Sequence, residues 1–317
     1  MKKVVLLTHN DLDAMGCILN LSTRLDFTNI FYTNYANIAQ IVKDVLTYAK
    51  QNDVLNLVIA DVSFSDSKQL LKQLYSYFKT IVFIDHHLYS DGYFNEFPNM
   101  FIKHDISKCA TKLCAEYCNS EGIKKLALLN DIINAYDIWK IDSKYFNFAQ
   151  SLNDYFFYYK SKHPEMGENS ILGLADLLAE NDYTLPQDFK KVTDEIKAYN
   201  ENIYKQYQDH NLIKRSNSGA KITLIFGFDC FNYAMIKEMD NGQDFVIGIA
   251  FGIFKVRINQ KAKYSKFFKN ELRKQLTGTE NTGHMDAFTY RLKGSPSLEN
   301  IINECQKITS LINSITL

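Results

Sequence analysis

The chain has 317 residues, with 36 Lys and Arg against 36 Asp and Glu. That length predicts two domains, and a net charge of zero argues against the extended basic surface of a long-duplex binder. Six cysteines without a secretory signal read as reduced thiols, and the longest apolar run, Phe245 to Phe254, is too short to span a bilayer, so the expectation is a soluble, cytoplasmic protein.

Lys3 to Thr8 reads as a first strand, and Ala14 to Leu25 as a helix by the spacing of Met15, Ile18, Leu19, Leu21 and Leu25. Between them stands His9-Asn10-Asp11-Leu12-Asp13. One aspartate there suffices to cap the helix, which leaves the second aspartate and the histidine unexplained. Asn29 to Asn34 is the second strand and Ile38 to Tyr48 the second helix. Leu55 to Ala60 is a third strand followed at once by Asp61-Val62-Ser63, and a helix then runs through Leu70, Leu71, Leu74 and Phe78. Thr80 to Ile84, apolar enough to be buried on both faces, is the fourth strand and ends in Asp85-His86-His87.

Strand-helix alternation at this rhythm predicts right-handed crossovers and a parallel sheet. In such sheets ligands gather at the carboxyl ends of the strands. Three of the four strand ends carry acidic or imidazole groups, and a shared metal site accounts for them better than repeated helix capping. Mixed carboxylate and imidazole donors suit a pair of Mn-type cations, with Asp61 as the carboxylate that bridges them.

An irregular stretch follows, then helices over Ser107 to Cys118 and Ile123 to Ile133; Asp131 and Asp137 are both candidates for a further carboxylate. Cys109, Cys114 and Cys118 lack the close pairing of a zinc site and read as the core face of a helix. Tyr145 to Glu180 is aromatic-rich and helical, broken at His163 to Asn169. Asn181 to Asp188 marks a boundary, beyond which Phe189 to Tyr207 forms a long amphipathic helix and Ser216 to Gly219 a turn-rich joint. The remainder reads as strands over Lys221 to Phe226, Phe245 to Ala250 and Phe254 to Ile258, a helix over Lys263 to Leu276, a strand near Phe288 to Leu292 and a last helix over Ser297 to Ile312.

These motifs resemble those of the DHH phosphoesterase family. Its first motif is matched by Asp11-Leu12-Asp13-Ala14-Met15-Gly16 with His9 in front, its second by Asp61 and its third by Asp85-His86-His87. Tyr136-Asp137-Ile138-Trp139 resembles the fourth motif of the oligoribonuclease B-like (nanoRNase) branch, which favours Asp137 over Asp131. Gly283-His284 looks like a reduced form of the family's C-terminal Gly-Gly-Gly-His loop, with Asn281 and Thr282 in place of glycines and Asp286 close by. Arg257 resembles the family's substrate-contacting arginine.

The resemblance implies an α/β fold: a parallel-sheet catalytic domain over residues 1–185, a linker helix over 186–215 and a smaller α/β substrate-binding domain over 216–317. It implies one Mn2+ held by His9, Asp11 and Asp61 and a second held by Asp13, Asp61, His86 and Asp137, with Mg2+ or Co2+ as substitutes. His87 would contact the scissile phosphate and Asp85 would orient a neighbouring imidazole, while Arg257, Gly283 and His284 would hold the substrate. The reaction implied is hydrolysis of short oligonucleotides to mononucleotides by two-metal-activated water. Cyclic mono- or dinucleotides and 3'-phosphoadenosine 5'-phosphate are the alternative substrates, and a non-catalytic binding module is the competing class. Neither long duplexes nor membranes are expected partners, and a homodimer is compatible with the sequence.

Overall fold

The computed structural model describes residues 3–34, 36–207, 212–215, 221–226, 231–250, 253–259, 282–283, 287–292 and 297–314. The chain divides into two compact units, Met1–Thr193 and Asp194–Leu317. Among the described residues no helix is long and apolar enough to cross a membrane.

The first unit is built on five parallel strands, β1 (Val4–Thr8), β2 (Phe27–Tyr32), β3 (Asn56–Ala60), β4 (Thr80–Asp85) and β5 (Phe101–His104), in the order β2-β1-β3-β4-β5. The β-rich composition of the inner strands fits burial from both sides. Val5, Leu7, Leu57, Ile59, Ile81 and Phe83 pack on one face beneath α2 (Ile38–Asn52) and α3 (Lys68–Tyr77). Leu6 and Val58 alternate to the opposite side of the strands. There α1 (Leu12–Leu21) packs on α4 (Ala110–Cys118), α5 (Lys124–Asp137) and α7 (Ser170–Glu180), with α6 (Phe146–Lys162) against α5.

Two contacts set how closely these helices approach. Gly16 lies so near α4 that a Cβ there would stand 2.0 Å from Thr111 Oγ1 and 2.8 Å from its Cγ2, so only glycine fits. A buried amide pair ties α1 to α5: Asn20 Nδ2 donates to Asn130 Oδ1 at 2.8 Å and Asn130 Nδ2 returns to Asn20 Oδ1 at 3.0 Å. Ser120 Oγ adds a 2.6 Å bond to the same Asn20 oxygen. With its polar atoms paired in this way the network costs little to bury and fixes the register of the two helices.

The fifth strand falls in the stretch whose sequence reads as irregular. It is short, lies at the sheet edge and leaves Phe101 53% exposed, so it lacks the apolar run that marks the inner strands.

α8 (Phe189–Tyr207) carries the chain into the second unit. That unit holds a mixed sheet of β6 (Leu212–Arg215), β7 (Lys221–Phe226), β8 (Phe245–Ala250), β9 (Ile253–Ile258), β10 (Thr282–Gly283) and β11 (Ala287–Arg291), in the order β10-β11-β9-β8-β7-β6. Among the described strands of this sheet, only β7 and β8 pair in parallel. Ile222, Leu224, Ile247, Phe254 and Val256 form its core with Ile308 of α10 (Leu298–Ser314). α9 (Phe231–Asp240) contacts β7 and β8, where Thr223 Oγ1 reaches Glu238 at 3.4 Å and Tyr204 OH donates to the same carboxylate at 2.9 Å. The sequence reading has neither β6 nor α9. The helix expected over 263–276 and the joint expected over 216–219 lie outside the described residues.

Candidate metal centre

The order of the first sheet puts its switch point between β1 and β3, where flanking connections leave on opposite sides and open a crevice. His9 follows β1, and Asp61 follows β3 on the far side of that crevice. β4, next to β3, delivers Asp85, His86 and His87 at the same level, since Ala60 is in register with Ile84.

Local structure aims each group. Asp11 is the N-cap of α1: its Oδ1 accepts from Ala14 N at 3.1 Å while its Oδ2 lies 2.7 Å from His9 Nδ1. One residue therefore serves as both cap and site partner, and the histidine that capping leaves unexplained is its companion. Asp13, 2% exposed in the first turn, accepts from Ala110 N at 2.8 Å and Thr111 N at 2.9 Å, so its carboxylate seats the start of α4. Asp61 takes a φ of +59°, left-handed for a residue with a Cβ, which is a conformation that persists only where its surroundings enforce it.

His86 is the hub. Its Nε2 lies 3.2 Å from Asp61 Oδ1, 3.6 Å from Asp137 Oδ2 and 3.7 Å from Asp13 Oδ2. Asp137 is the last residue of α5, and the chain beyond it turns through Trp139 at φ +57°, with Lys140 N donating to Ala135 O at 2.8 Å to close the helix end. Tyr136, Trp139 and Phe146 pack ring on ring behind it. Asp131, the other candidate, stands on the outer side and pairs with Lys112 at 2.8 Å.

Beside the hub, His87 Nδ1 lies 2.8 Å from Asp85 Oδ1, and Tyr89 OH donates to Asp85 Oδ2 at 2.5 Å. His104 Nε2 donates to His87 O at 2.6 Å. Tyr89 and His104 escape the sequence reading, the first because a tyrosine in a loop carries no motif and the second because it ends the unrecognised edge strand.

Charge divides these carboxylates into two kinds. Burial pushes Asp61 well above the usual carboxylate range, and the neighbouring Asp11, Asp13, Asp137 and Asp85 push it further. Burial, Asp137 and Asp11 likewise raise Asp13 to about 7. For Asp11 and Asp85 burial acts in the same upward direction, but the imidazoles of His9 and His87 outweigh it and hold both well below the usual range. Burial lowers His9 and His87, yet Asp11 and Asp85 win and raise both.

This donor set fits divalent cations. Among the described residues, His9, Asp11 and Asp61 bring ligand atoms within 4.8 Å of one another, as do Asp61, Asp85, His86 and His87, and also Asp13, Cys109 and Asp137. Asp61 Oδ2 is buried and has no hydrogen-bond partner among the described residues, a cost that a bound cation removes. Of the remaining expected residues, Arg257 lies half-buried on β9 between Val246 and Ala287, and Gly283 ends β10, both in the second unit. His284 lies outside the described residues.

The five-stranded parallel sheet followed by a smaller mixed-sheet unit is a fold that this chain shares with solved structures, a DHH domain among them. Three of these structures illustrate the likeness. The DHH domain of a protein described as belonging to a family of ribosomal proteins matches with a TM-score of 0.69 at 14% identity, over 100% of this chain and 88% of that one. A pGpG-specific phosphodiesterase, PggH from Vibrio cholerae, matches with a TM-score of 0.59 at 12% identity, over 98% and 99%. The exonuclease RecJ bound to manganese matches with a TM-score of 0.52 at 10% identity, over 100% and 91%. No protein-family model and no curated protein sequence matches the chain.

Proposed function

We propose that the chain is a Mn-dependent phosphodiesterase that hydrolyses short oligonucleotides to mononucleotides, of the oligoribonuclease B-like kind. The observation that carries this reading is the gathering of Asp13, Asp61 and Asp137 around His86 Nε2, with His9 and Asp11 on the other side of Asp61. Carboxylates packed at that density need positive charge among them. The manganese in RecJ and the phosphodiester chemistry of PggH, on the same fold, support the choice of metal and bond.

In this reading His9, Asp11 and Asp61 hold one cation, and Asp13, Asp61, His86 and Asp137 hold the other, with Asp61 shared. When bound, the cations supply Lewis acidity to the phosphoryl group and to the attacking water. Asp85 accepts from His87 Nδ1 and so turns the Nε2 side of that ring toward the substrate, where it donates to a phosphate oxygen. Tyr89 fixes Asp85 from behind. Water adds to phosphorus, the bridging P–O bond breaks and the departing oxygen takes up a proton. Residues 1–185 form the catalytic domain, 186–215 the linker and 216–317 the substrate-binding domain, in which Arg257, Gly283 and His284 engage the nucleotide. The balanced net charge suits short strands, which need no extended basic groove.

The test is Mn-dependent release of mononucleotides from 5'-phosphorylated RNA and DNA of two to about ten residues, beside cyclic dinucleotides, cyclic mononucleotides and 3'-phosphoadenosine 5'-phosphate. Turnover of the shortest linear strands supports the reading. Cleavage confined to a cyclic or bisphosphorylated nucleotide keeps the metal chemistry and replaces the substrate. Metal binding with no cleavage points instead to a binding module.

A further inference from the structure

Cys109 stands where the sequence suggests an ordinary core cysteine, yet its surroundings are polar. It is the N-cap residue of α4, fully buried, and makes no side-chain capping bond. Its own N–H donates to Asn134 Oδ1 at 2.8 Å, and the next two N–H groups both donate to the Asp13 carboxylate. The backbone around the thiol is thus clamped to Asn134 of α5 on one side and to Asp13 of the metal centre on the other. Its Sγ lies within 4.8 Å of carboxylate oxygens of both Asp13 and Asp137, the two acids that flank His86 Nε2.

Ligands of one cation at ~2.3 Å for sulfur and ~2.0–2.2 Å for oxygen cannot stand more than ~4.5 Å apart. The observed spacing therefore needs only a slight closing of side chains. Asp13 keeps lone pairs for a cation after accepting two backbone bonds, because a carboxylate offers about four acceptor sites. A separate observation points to a cation at the same centre: Asp61, whose Oδ1 meets His86 Nε2, has a buried Oδ2 with no hydrogen-bond partner among the described residues.

We propose that Cys109 is a sulfur ligand of the cation held by Asp13, His86 and Asp137, so that this half of the centre prefers thiophilic ions. The proposal rests on the metal-centre reading above and adds a donor to it. Carboxylate and imidazole alone accept Mn2+ and Mg2+ readily, whereas a thiolate shifts preference toward Co2+, Zn2+ and Cd2+. Binding replaces the S–H bond by a sulfur–metal bond and passes the proton to buffer. The other position, with His9, Asp11 and Asp61, has no sulfur among its grouped ligands, so the two halves differ in softness.

The experiment uses the full chain with Co2+ as the probe. The wild-type protein should show visible Co2+ bands together with an intense near-ultraviolet thiolate charge-transfer band. Cys109→Ser should lose the second and keep the first, because serine is a favourable N-cap and preserves α4. Cys118→Ser, at the far end of the same helix, should keep both. Cd2+ affinity should fall ~10-fold or more in Cys109→Ser, the scale on which even an outer partner of a metal ligand is felt, while Mn2+ affinity changes less. Visible bands without charge transfer in the wild type, or charge transfer that persists in Cys109→Ser, would overturn the thiol assignment and leave the metal centre standing. No Co2+ binding at all would overturn both.

Discussion

His86 Nε2 meets Asp61 Oδ1 at 3.2 Å across a sequence separation of 25 residues. The contact follows from strand pairing. The β3–β4 ladder continues one step past Ala60, where Asp61 N donates to Ile84 O at 3.0 Å, and the left-handed turn at Asp61 then redirects the chain. The carboxylate is thereby delivered level with the residues that follow β4. A backbone conformation that is costly for aspartate persists at the point where the most ligands converge.

Replacement of Asp61 separates its roles. Asp61→Asn tolerates the left-handed conformation better than alanine does, because asparagine visits that region more readily. It should reduce turnover to background while raising the thermal midpoint of the metal-free protein, since one of several mutually repelling buried carboxylates is removed. Calorimetry in chelator beside a steady-state assay checks both. Full activity in this variant would end the bridging assignment.

The same repulsion gives the metal-free protein a pH slope. Asp13 titrates at about 7 when folded against an ordinary 3.8, and Asp61 is also raised, so the folded state holds protons that the unfolded chain has released. Stability contributed by these two groups is present below about pH 4 and is lost as pH rises, for Asp13 on passing about 7. Asp11 and Asp85, held low by their imidazoles, act oppositely and lose their contribution as pH falls below the ordinary carboxylate value. Thermal melts in chelator should therefore decline from about pH 4 to about pH 7. Mn2+ at a hundred times its dissociation constant should restore about 2.7 kcal/mol and flatten the slope.

Tyr89 touches neither phosphate nor cation in the proposed reaction and acts through Asp85 on His87. Tyr89→Phe retains the ring packing against Phe83 and Phe94 and removes only the hydroxyl. We expect kcat to fall by ~10–100-fold, the range for outer partners of site residues, with Mn2+ affinity little changed and the pH profile shifted. An unchanged profile would reduce Tyr89 to a packing residue.

Gly16→Ala tests the approach of α1 to α4. The added methyl meets Thr111, whose Oγ1 donates to Asp13 O at 2.9 Å, so the overpacking strikes the segment that carries a ligand. The expected cost is ~1–3 kcal/mol of stability, with weakened Mn2+ binding. Urea unfolding with and without metal measures both.

Much of this architecture is legible in the chain because the inner strands are apolar and each is followed by a polar cluster that capping alone does not explain. Asp61 and Asp85-His86-His87 stand out for that reason. The edge strand β5 and Cys109 do not. Four residues, two exposed and two half-buried, lack a strand pattern, and the side of α4 on which a thiol falls depends on the Asp13 clamp from a segment about a hundred residues earlier. The end of α5 is equally hidden, since its left-handed position is occupied by Trp139 where a glycine would have announced the turn.

That tryptophan has a practical consequence. It is the only one in the chain, it is buried, and it sits two residues beyond Asp137 in a ring cluster that backs the centre. The protein thus carries its own fluorophore beside the cation positions. Its emission, quenched by a paramagnetic ion such as Co2+ and indifferent to surface events elsewhere, makes loading of the site readable in a cuvette without any attached label.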